Sequence, residues 1–547
     1  MTRRTTGSRT RDSRTTDTRT TDTRTTDSCT TGSRTTGSRT TDSRTVRRAR
    51  RCRTALLTIV AAAIIGALPA QLPAQVPLTE YAARRTQLGA MAGDGAIVVL
   101  GSGEPVRDFE YFSQSVHLRY LTGWTQPNAA LLVLRSGGTQ REMLFVAERN
   151  PSQEVWTGPR PSLVEAARMS GMPVRDVSEF TRTVDSVLAL GMPLRVAGEL
   201  RGGYAPTAAP VAADRVFMAE IARRFPNVTV TDITRQVLEL RATKSAAEVG
   251  LLRTSIAITA RAHREVMRML EPGWNEFEVQ ALVEYTFRRN GADRVGFTSI
   301  AASGDNATTL HYWQNDRPTK AGDLIVIDIG SSYGGYSADV TRTLPVSGRF
   351  TPAQRAVYDI VRRAQVAGEQ ATRVGAPQRG SMQAASDTIG AGLTRLGLIE
   401  SPTATYDCDA TGQRLCPQRS LYFMHGLGHG IGLEVHDPDH SDRDLWKAGS
   451  VVTIEPGIYV RRNLAEVLPD TPRNRALLAT LAPALATHGG IGVRIEDDYL
   501  LTPTGLEWLS TLPRDAAEIE SEMTAPRARS VAPRDAALVE RYRRPLP

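Results

Sequence analysis

Hydrophobic positions follow two regimes along the chain. Between about Val76 and Leu240, short apolar runs ("GAIVVL", "AALLVL", "EMLFVA") alternate with helical stretches ("SLVEAARMSG", "AADRVFMAEIARRF"). The runs read as strands, so residues 76–240 are expected to form an α/β domain; no catalytic constellation is visible in it. The stretch "LRATKSAAEVGLLRTSIAITARAHREVMRML" then links into a second domain over 241–511. Ser245 and Glu248 have capping-box spacing, and Val249, Leu252, Ile256, His263, Met267 and Leu270 recur at helical intervals. His263 falls on that apolar stripe and is read as a packed histidine. A second helix starts at Asn275, with Glu278 three residues on, and ends near Gly291. Strands follow. "DLIVIDIG" and "YSADVTRTL" flank Gly334 and Gly335, a hairpin signal. A helix opens at Thr351 with Pro352 in its first position, and "SVVTIEPGIYV" and "GVRIEDDYLLT" read as two more strands. Residues 512–547 read as one short helix and a loose tail.

The net charge of +9 suggests a polyanionic partner until its placement is considered. Residues 1–53 carry 15 Arg against 5 Asp, and the rest of the chain holds 52 basic and 53 acidic residues. A basic groove for nucleic acid is therefore excluded for the bulk of the chain. In residues 1–45 arginine recurs every five positions within a Thr-rich unit that has nothing apolar to bury. Such a repeat is expected to be disordered, or not translated at all, with Val46 as the true start. Residues 46–75 run from a basic cluster (Arg47 to Arg53) through about fourteen apolar residues (Ala55 to Leu68) to small residues and prolines. That is the order of an export signal and is shorter than a membrane span. The expectation is an exported protein, periplasmic or extracellular, with no stable membrane span after cleavage. In an oxidising compartment Cys408 and Cys416, close together in a polar loop, are expected to be bonded; soft metal ligation is the weaker alternative, since two cysteines alone do not make a site.

The candidate chemistry lies in carboxylates placed where core residues belong. Asp328 and Asp339 sit on opposite arms of the hairpin, Glu455 in "VVTIEPG" and Glu496 in "GVRIEDDYLL". Buried carboxylates are costly unless paired or bound to a cation. If the four converge, two divalent cations would cancel their charge. Oxygen-rich ligation with one imidazole suits Mn²⁺, Co²⁺ or Zn²⁺, and two such ions can share and activate a bridging water. Arg494, two residues before Glu496, should share its face and orient a carboxylate, while Asp497 should point the other way. The chain has eight histidines, and three of them (His425, His429, His436) lie in the glycine-rich "FMHGLGHGIGLEVHD". The glycines would let the backbone approach a metal closely.

Together "VIDIGSSYGGYSADVTRT", "HGLGHGIGLEVHD", "TIEPGIYV" and "GVRIEDD" resemble the dinuclear metallopeptidases of the pita-bread fold, in particular the bacterial Xaa-Pro aminopeptidases, or aminopeptidase P. The resemblance extends to "FSQSVHLRYLTGW" in the first domain and covers about Val76 to Ser510. It implies an α/β N-terminal domain followed by an α+β pita-bread catalytic domain. It implies Asp328, Asp339, His429, Glu455 and Glu496 as ligands of two divalent ions, with Mn²⁺ expected and Zn²⁺ or Co²⁺ as alternatives. His311, His425, His436 and Arg494 match active-site positions that do not bind metal. His425 is assigned to the developing oxyanion, His311 and His436 to placing the substrate, and Glu455 also to moving protons. The substrates implied are peptides with proline second. Trp156 matches a residue that shapes a neighbouring subunit's pocket in oligomeric relatives, which implies a dimer or tetramer.

The N-terminal repeat has no family counterpart, and within the matched region two segments depart from the family pattern: the loop holding Cys408 and Cys416, and a long stretch between Glu455 and Glu496. Both bear on peptide-length preference. A prolidase, cleaving dipeptides that end in proline, shares all five ligands and stays open. A non-catalytic peptide-binding protein on the same fold would be expected to have lost ligands, and a phosphatase or nuclease would be expected to have a phosphate-binding loop. Sequencing the N-terminus of the mature protein should give a first residue near Gln71 or Gln75; recovery of the intact repeat there would refute export by this signal.

Overall fold

The computed structural model describes residues 76–105, 111–198, 212–439, 445–526 and 530–533. The repeat and the export signal lie outside these residues. No helix among the described residues is long and apolar enough to cross a membrane.

In the first domain, helix α1 (Leu78–Ala92) leads into β1 (Gly95–Leu100), then α2 (Val116–Thr122), β2 (Ala129–Ser136), β3 (Thr139–Val146), β4 (Val174–Asp176), β5 (Leu194–Val196) and β6 (Val230–Asp232). The strands form one mixed six-stranded sheet in the order β4-β3-β2-β1-β5-β6. Ile97 and Val99 pack on the side of α1 and α2, where Leu88, Leu118 and Leu121 lie. Ala96 and Val98 pack on the other side against Phe180, Val184 and Ile221. Both faces are covered, which is why these strands read as continuous apolar runs rather than alternating ones.

Helix α3 (Thr234–Ala242) leads to the long α4 (Ala246–Met269). Ser245 and Glu248 complete the expected capping box, and Asn275 and Glu278 repeat the motif at the start of α5 (Glu276–Arg289). His263 is buried on α4, with its Nε2 2.9 Å from the Val340 carbonyl, as a packed histidine should be.

In the catalytic domain come β7 (Ile300–Ser303), β8 (Leu324–Ile329), β9 (Ser331–Tyr333), β10 (Tyr336–Ser337) and β11 (Val340–Pro345); β11, β8 and β7 form one three-stranded sheet, and β10 and β9 form another with the short strand Arg294–Val295. Gly334 and Gly335, at φ 61° and 89°, make the tight turn between β9 and β10, the two left-handed residues a two-residue hairpin of this type requires. Strands β8 and β11 pair antiparallel, placing Asp328 opposite Thr341. Helices α6 (Pro352–Ala371) and α7 (Gln378–Arg395) follow. Then come β12 (Thr405–Asp407), β13 (Leu415–Pro417), β14 (Val451–Ile454), β15 (Gly457–Tyr459), helix α8 (Pro472–His488), β16 (Gly492–Arg494), β17 (Asp497–Thr502), β18 (Gly505–Trp508) and α9 (Ala516–Thr524).

Three segments expected to be single strands are each split in two. "YSADVTRTL" breaks at Ala338 and Asp339, "SVVTIEPGIYV" at Glu455 and Pro456, and "GVRIEDDYLLT" at Ile495 and Glu496. Pro456 has no N–H to continue a ladder. The bridge between Thr341 and Glu496 carries the sheet across the last gap.

The two segments that depart from the family pattern pack on each other. Cys408 and Cys416 are disulfide-bonded across the β12–β13 hairpin, with Cα atoms 5.7 Å apart. Beside the bridge, Asp407 accepts a hydrogen bond from the Thr471 hydroxyl (2.7 Å), and Asn474 bonds to both the N–H and the carbonyl of Asp407. The hairpin thereby holds the start of α8.

Burial holds the His263 imidazole well below its usual range, at about 3, with the Arg342 cation adding to the effect. The unfolded chain takes up this proton near pH 6.5 and the folded chain near pH 3, so the group's contribution to stability is lost as pH falls through that window. The slope is at most about 1.4 kcal/mol per pH unit. In His263→Gln the melting temperature should fall less steeply between pH 6.5 and 4.5 than in the parent; equal slopes would remove the assignment.

Candidate metal centre

Strand β8 and the three strand breaks bring four carboxylates to one point. Asp328, Asp339 and Glu496 are buried, and Glu455 is largely so. His429 faces them: its Nε2 is 3.5 Å from Asp339 Oδ2, 3.6 Å from Glu455 Oε1 and 4.0 Å from Glu496 Oε1. The Gly430 carbonyl, 3.1 Å from His429 Nδ1, takes the ring proton there and leaves the Nε2 lone pair toward the carboxylates.

The glycine-rich loop is positioned by β14. Thr453 N–H donates to the His429 carbonyl, His429 N–H to Thr453 Oγ1, and Glu455 N–H to the Leu427 carbonyl. A Cβ at Gly428 would lie 2.1 Å from the Thr453 carbonyl oxygen, and one at Gly430 2.6 Å from that of Asp437. The close approach these glycines permit is to strand β14 and to the loop's own far end.

The electrostatics show what the cluster lacks. Burial, and then repulsion from the other carboxylates, push Asp339 and Glu455 well above the usual carboxylate range and raise Glu496 to about 8. Asp328 Oδ1 and Asp339 Oδ1 are buried without a hydrogen-bond partner. Orphan buried oxygens of this kind are costly unless a cation completes them. Together with one imidazole nitrogen held in the ligating tautomer, the donor set fits hard-to-borderline divalent ions.

Arg494 ends β16 and donates to Asp328 Oδ2, so the carboxylate it orients is Asp328. It also donates to the Tyr459 hydroxyl (2.9 Å), to the Leu310 carbonyl (3.3 Å) and, through Nε, to Thr341 Oγ1 (3.3 Å). Thr341 in turn donates to Glu496 Oε2 at 2.6 Å. Asp497 points away from the cluster, as expected, into an ion pair with the fully buried Arg342 at 2.6 Å.

The other histidines gather on one side of the ligands. His425 Nδ1 lies 2.8 Å from the Gly426 carbonyl and 3.7 Å from Glu455 Oε2, and its Nε2 is 2.9 Å from the Tyr459 hydroxyl. Burial and the Arg494 cation hold its pKa down to about 4. The His436 ring centre is 4.0 Å from that of His429. His311 is exposed, on the loop that Arg494 tethers through Leu310, and lies near enough to His425 and His436 to lower the pKa of each. Trp156 is remote in character: it is 79% exposed, on the helix Pro151–Thr157, none of whose residues is buried.

Sequence reasoning passed over Tyr459, Thr341 and Arg342. Tyr459 stands in an apolar strand and reads as core. Arg342 carried a usable signal, a cation inside the apolar "DVTRTL" run that needed a buried partner.

A cluster of buried carboxylates and an imidazole in this two-domain setting defines a metallohydrolase site. The model of metallopeptidase family M24 matches residues 250–503, and that of the aminopeptidase P N-terminal domain matches residues 81–192. The chain is 31% identical to the Xaa-Pro aminopeptidase of Haemophilus influenzae over 462 residues, covering 82% of this chain and 98% of the relative. It is 32% identical to that of Escherichia coli over 464 residues, with the same coverage. Among solved structures, E. coli aminopeptidase P in complex with substrate superposes with a TM-score of 0.68 at 30% identity, covering 83% of this chain and 99% of that one. Pseudomonas aeruginosa aminopeptidase PepP gives a TM-score of 0.67, also at 30% identity, covering 83% and 99%. The chain belongs to metallopeptidase family M24, with the aminopeptidase P N-terminal domain ahead of a pita-bread catalytic domain.

Membership implies divalent metal, and the donor set agrees. Saturating Mn²⁺ should raise the melting temperature of the chelated protein; at a hundredfold excess over Kd the gain is about 2.7 kcal/mol. Asp339→Asn should lose most of that shift and of the bound metal measured by elemental analysis; full metal content in the variant would exclude Asp339 as a ligand.

Proposed function

We propose that this chain is an exported metallo-aminopeptidase that removes the N-terminal residue from peptides with proline at the second position. Two divalent cations, held by Asp328, Asp339, His429, Glu455 and Glu496, serve the reaction, with Mn²⁺ the first choice and Zn²⁺ or Co²⁺ alternatives. The observation that carries the reading is the gathering of Asp339, Glu455 and Glu496 within 4.0 Å of His429 Nε2, with Asp328 near enough to repel Asp339 and Glu496, in a chain that aligns with 98% of the length of two relatives named Xaa-Pro aminopeptidase. E. coli aminopeptidase P has also been solved Zn-substituted with product, which bears on the choice of ion in that protein.

When bound, the cations acidify water and polarise the scissile carbonyl. The protein's own groups do the rest. Glu455, one oxygen toward His429 and the other toward His425, takes the proton of the attacking water and delivers it to the departing prolyl nitrogen. His425, kept neutral, turns its Nδ1–H from the Gly426 carbonyl to the developing oxyanion. His436 and His311 place the peptide, and the substrate's free α-amine is held near the metals. Arg494 pairs with Asp328 and keeps it aimed.

Export is supported by the order of charge and apolarity in residues 46–75 and agrees with the bonded Cys408 and Cys416. A homo-oligomer, dimer or tetramer, is supported by the exposed Trp156 helix, none of whose residues is buried among the described residues.

The metal-loaded enzyme should cleave Xaa-Pro-Yaa tripeptides well and Xaa-Pro dipeptides poorly; activity on the dipeptide alone would assign a prolidase instead. His425→Ala should lower kcat by about a hundredfold or more with metal content unchanged. Retained kcat would end its assignment to the oxyanion.

A further inference from the structure

Asp437 follows His436 directly and is buried against two cations from the segment that joins the domains. Its Oδ2 accepts from Lys244 Nζ at 2.9 Å, and its Oδ1 accepts from Arg241 Nη2. The side chains of Arg241, Lys244 and Asp437 are 1%, 1% and 2% exposed. Arg241 also donates to Glu434 Oε2 at 2.6 Å, and Lys244 Nζ reaches the Pro438 carbonyl at 3.4 Å.

Asp437 closes the loop that runs from one functional histidine to the next. Its N–H donates to the Gly430 carbonyl at 2.9 Å, its Oδ1 accepts from Glu434 N–H at 3.1 Å, and Gly432 N–H donates to the Glu434 carbonyl at 3.0 Å. The metal-facing His429 stands just before this ring and His436 at its end. The linker is itself anchored on both sides. Tyr120 on α2 donates to the Leu240 carbonyl at 2.9 Å, Arg241 Nη1 lies 3.4 Å from His117 Nδ1, and Lys244 N–H donates to the Gly449 carbonyl at 2.9 Å.

We infer that Arg241 and Lys244 are positioning residues: by clamping Asp437 they fix the 430–437 loop and so the place from which His436 meets the substrate. The inference rests on the substrate-placing role given to His436 above. A buried ion pair is poor evidence of net stability, because desolvation offsets its attraction. What two fixed cations on one short carboxylate do supply is a single position for the backbone that carries it. The N-terminal domain thereby acts on the site without contributing a group to it.

The test uses the full-length, metal-loaded protein in parental form and as Asp437→Asn, Arg241→Lys, His436→Ala and the His436→Ala/Asp437→Asn pair. Amide exchange over 430–437 should quicken by about tenfold or more in Asp437→Asn and by about threefold in Arg241→Lys, with exchange in β8 unchanged. On a Xaa-Pro-Yaa tripeptide, Asp437→Asn should lower kcat/KM by about tenfold in the parent but by less than about twofold in the His436→Ala background. Unchanged exchange in a folded variant, or an equal loss in both backgrounds, would overturn the clamp. Should Asp437→Asn not fold, Arg241→Lys decides by the same exchange criterion. A parent inactive on every Xaa-Pro peptide would sink the functional reading alone, because the exchange measurement still decides whether the clamp holds the loop.

Discussion

Repulsion among buried carboxylates is the constraint around which the catalytic domain is organised. Asp328, Asp339, Glu455 and Glu496 face one another out of water, and burial plus repulsion within the cluster favours the protonated forms of Asp339, Glu455 and Glu496. The surrounding structure answers that cost in two ways. Arg494 neutralises Asp328 while Thr341 donates to Glu496, and the oxygens left over, Asp328 Oδ1 and Asp339 Oδ1, are the ones a cation would satisfy. Behind them, Arg342 cancels Asp497 and also donates to the Glu496 carbonyl, so the backbone of Glu496 is held by a charge that faces away from the carboxylate cluster.

The same constraint explains why the sheet is interrupted. A side chain in a regular strand can point only up or down from the sheet. Asp339, Glu455 and Glu496 stand at breaks, where the backbone can turn and three different segments can aim at one point. The glycines of the histidine loop serve the same end, since a loop without Cβ atoms at Gly428 and Gly430 can lie directly against β14 and fold back on itself. Beyond the site, the linker cations tie that loop to the first domain, while the disulfide hairpin tied to α8 joins the two segments that distinguish this chain.

Much of this was legible because it is written in local pattern. Capping boxes at Ser245 and Asn275 announce their helices, since the partner is three residues away, and Pro352 announces the one that opens at Thr351. The paired glycines at 334 and 335 announce their turn. The four carboxylates were visible as acidic residues in apolar runs, and His263 as a histidine on an apolar stripe. The strand breaks were not visible, because apolar residues run through them on both sides and only Pro456 hints at a stop. Tyr459 was missed because its importance lies in where its hydroxyl ends up, between Arg494 and His425.

The sequence by itself determined the helices and their caps, the α/β character of the first domain and the acidic and histidine positions that stand out from their apolar surroundings, because these depend on spacing and polarity within a few residues. Only the tertiary structure decided that Asp328 is the carboxylate Arg494 holds, that the glycines face β14, and that Asp437 belongs to the linker cations. Two of these contacts join segments far apart in the chain, Asp328 and Arg494 at a separation of 166 and Arg241 and Asp437 at 196. At such distances polarity says that a charge needs a partner, and packing alone says which one it gets.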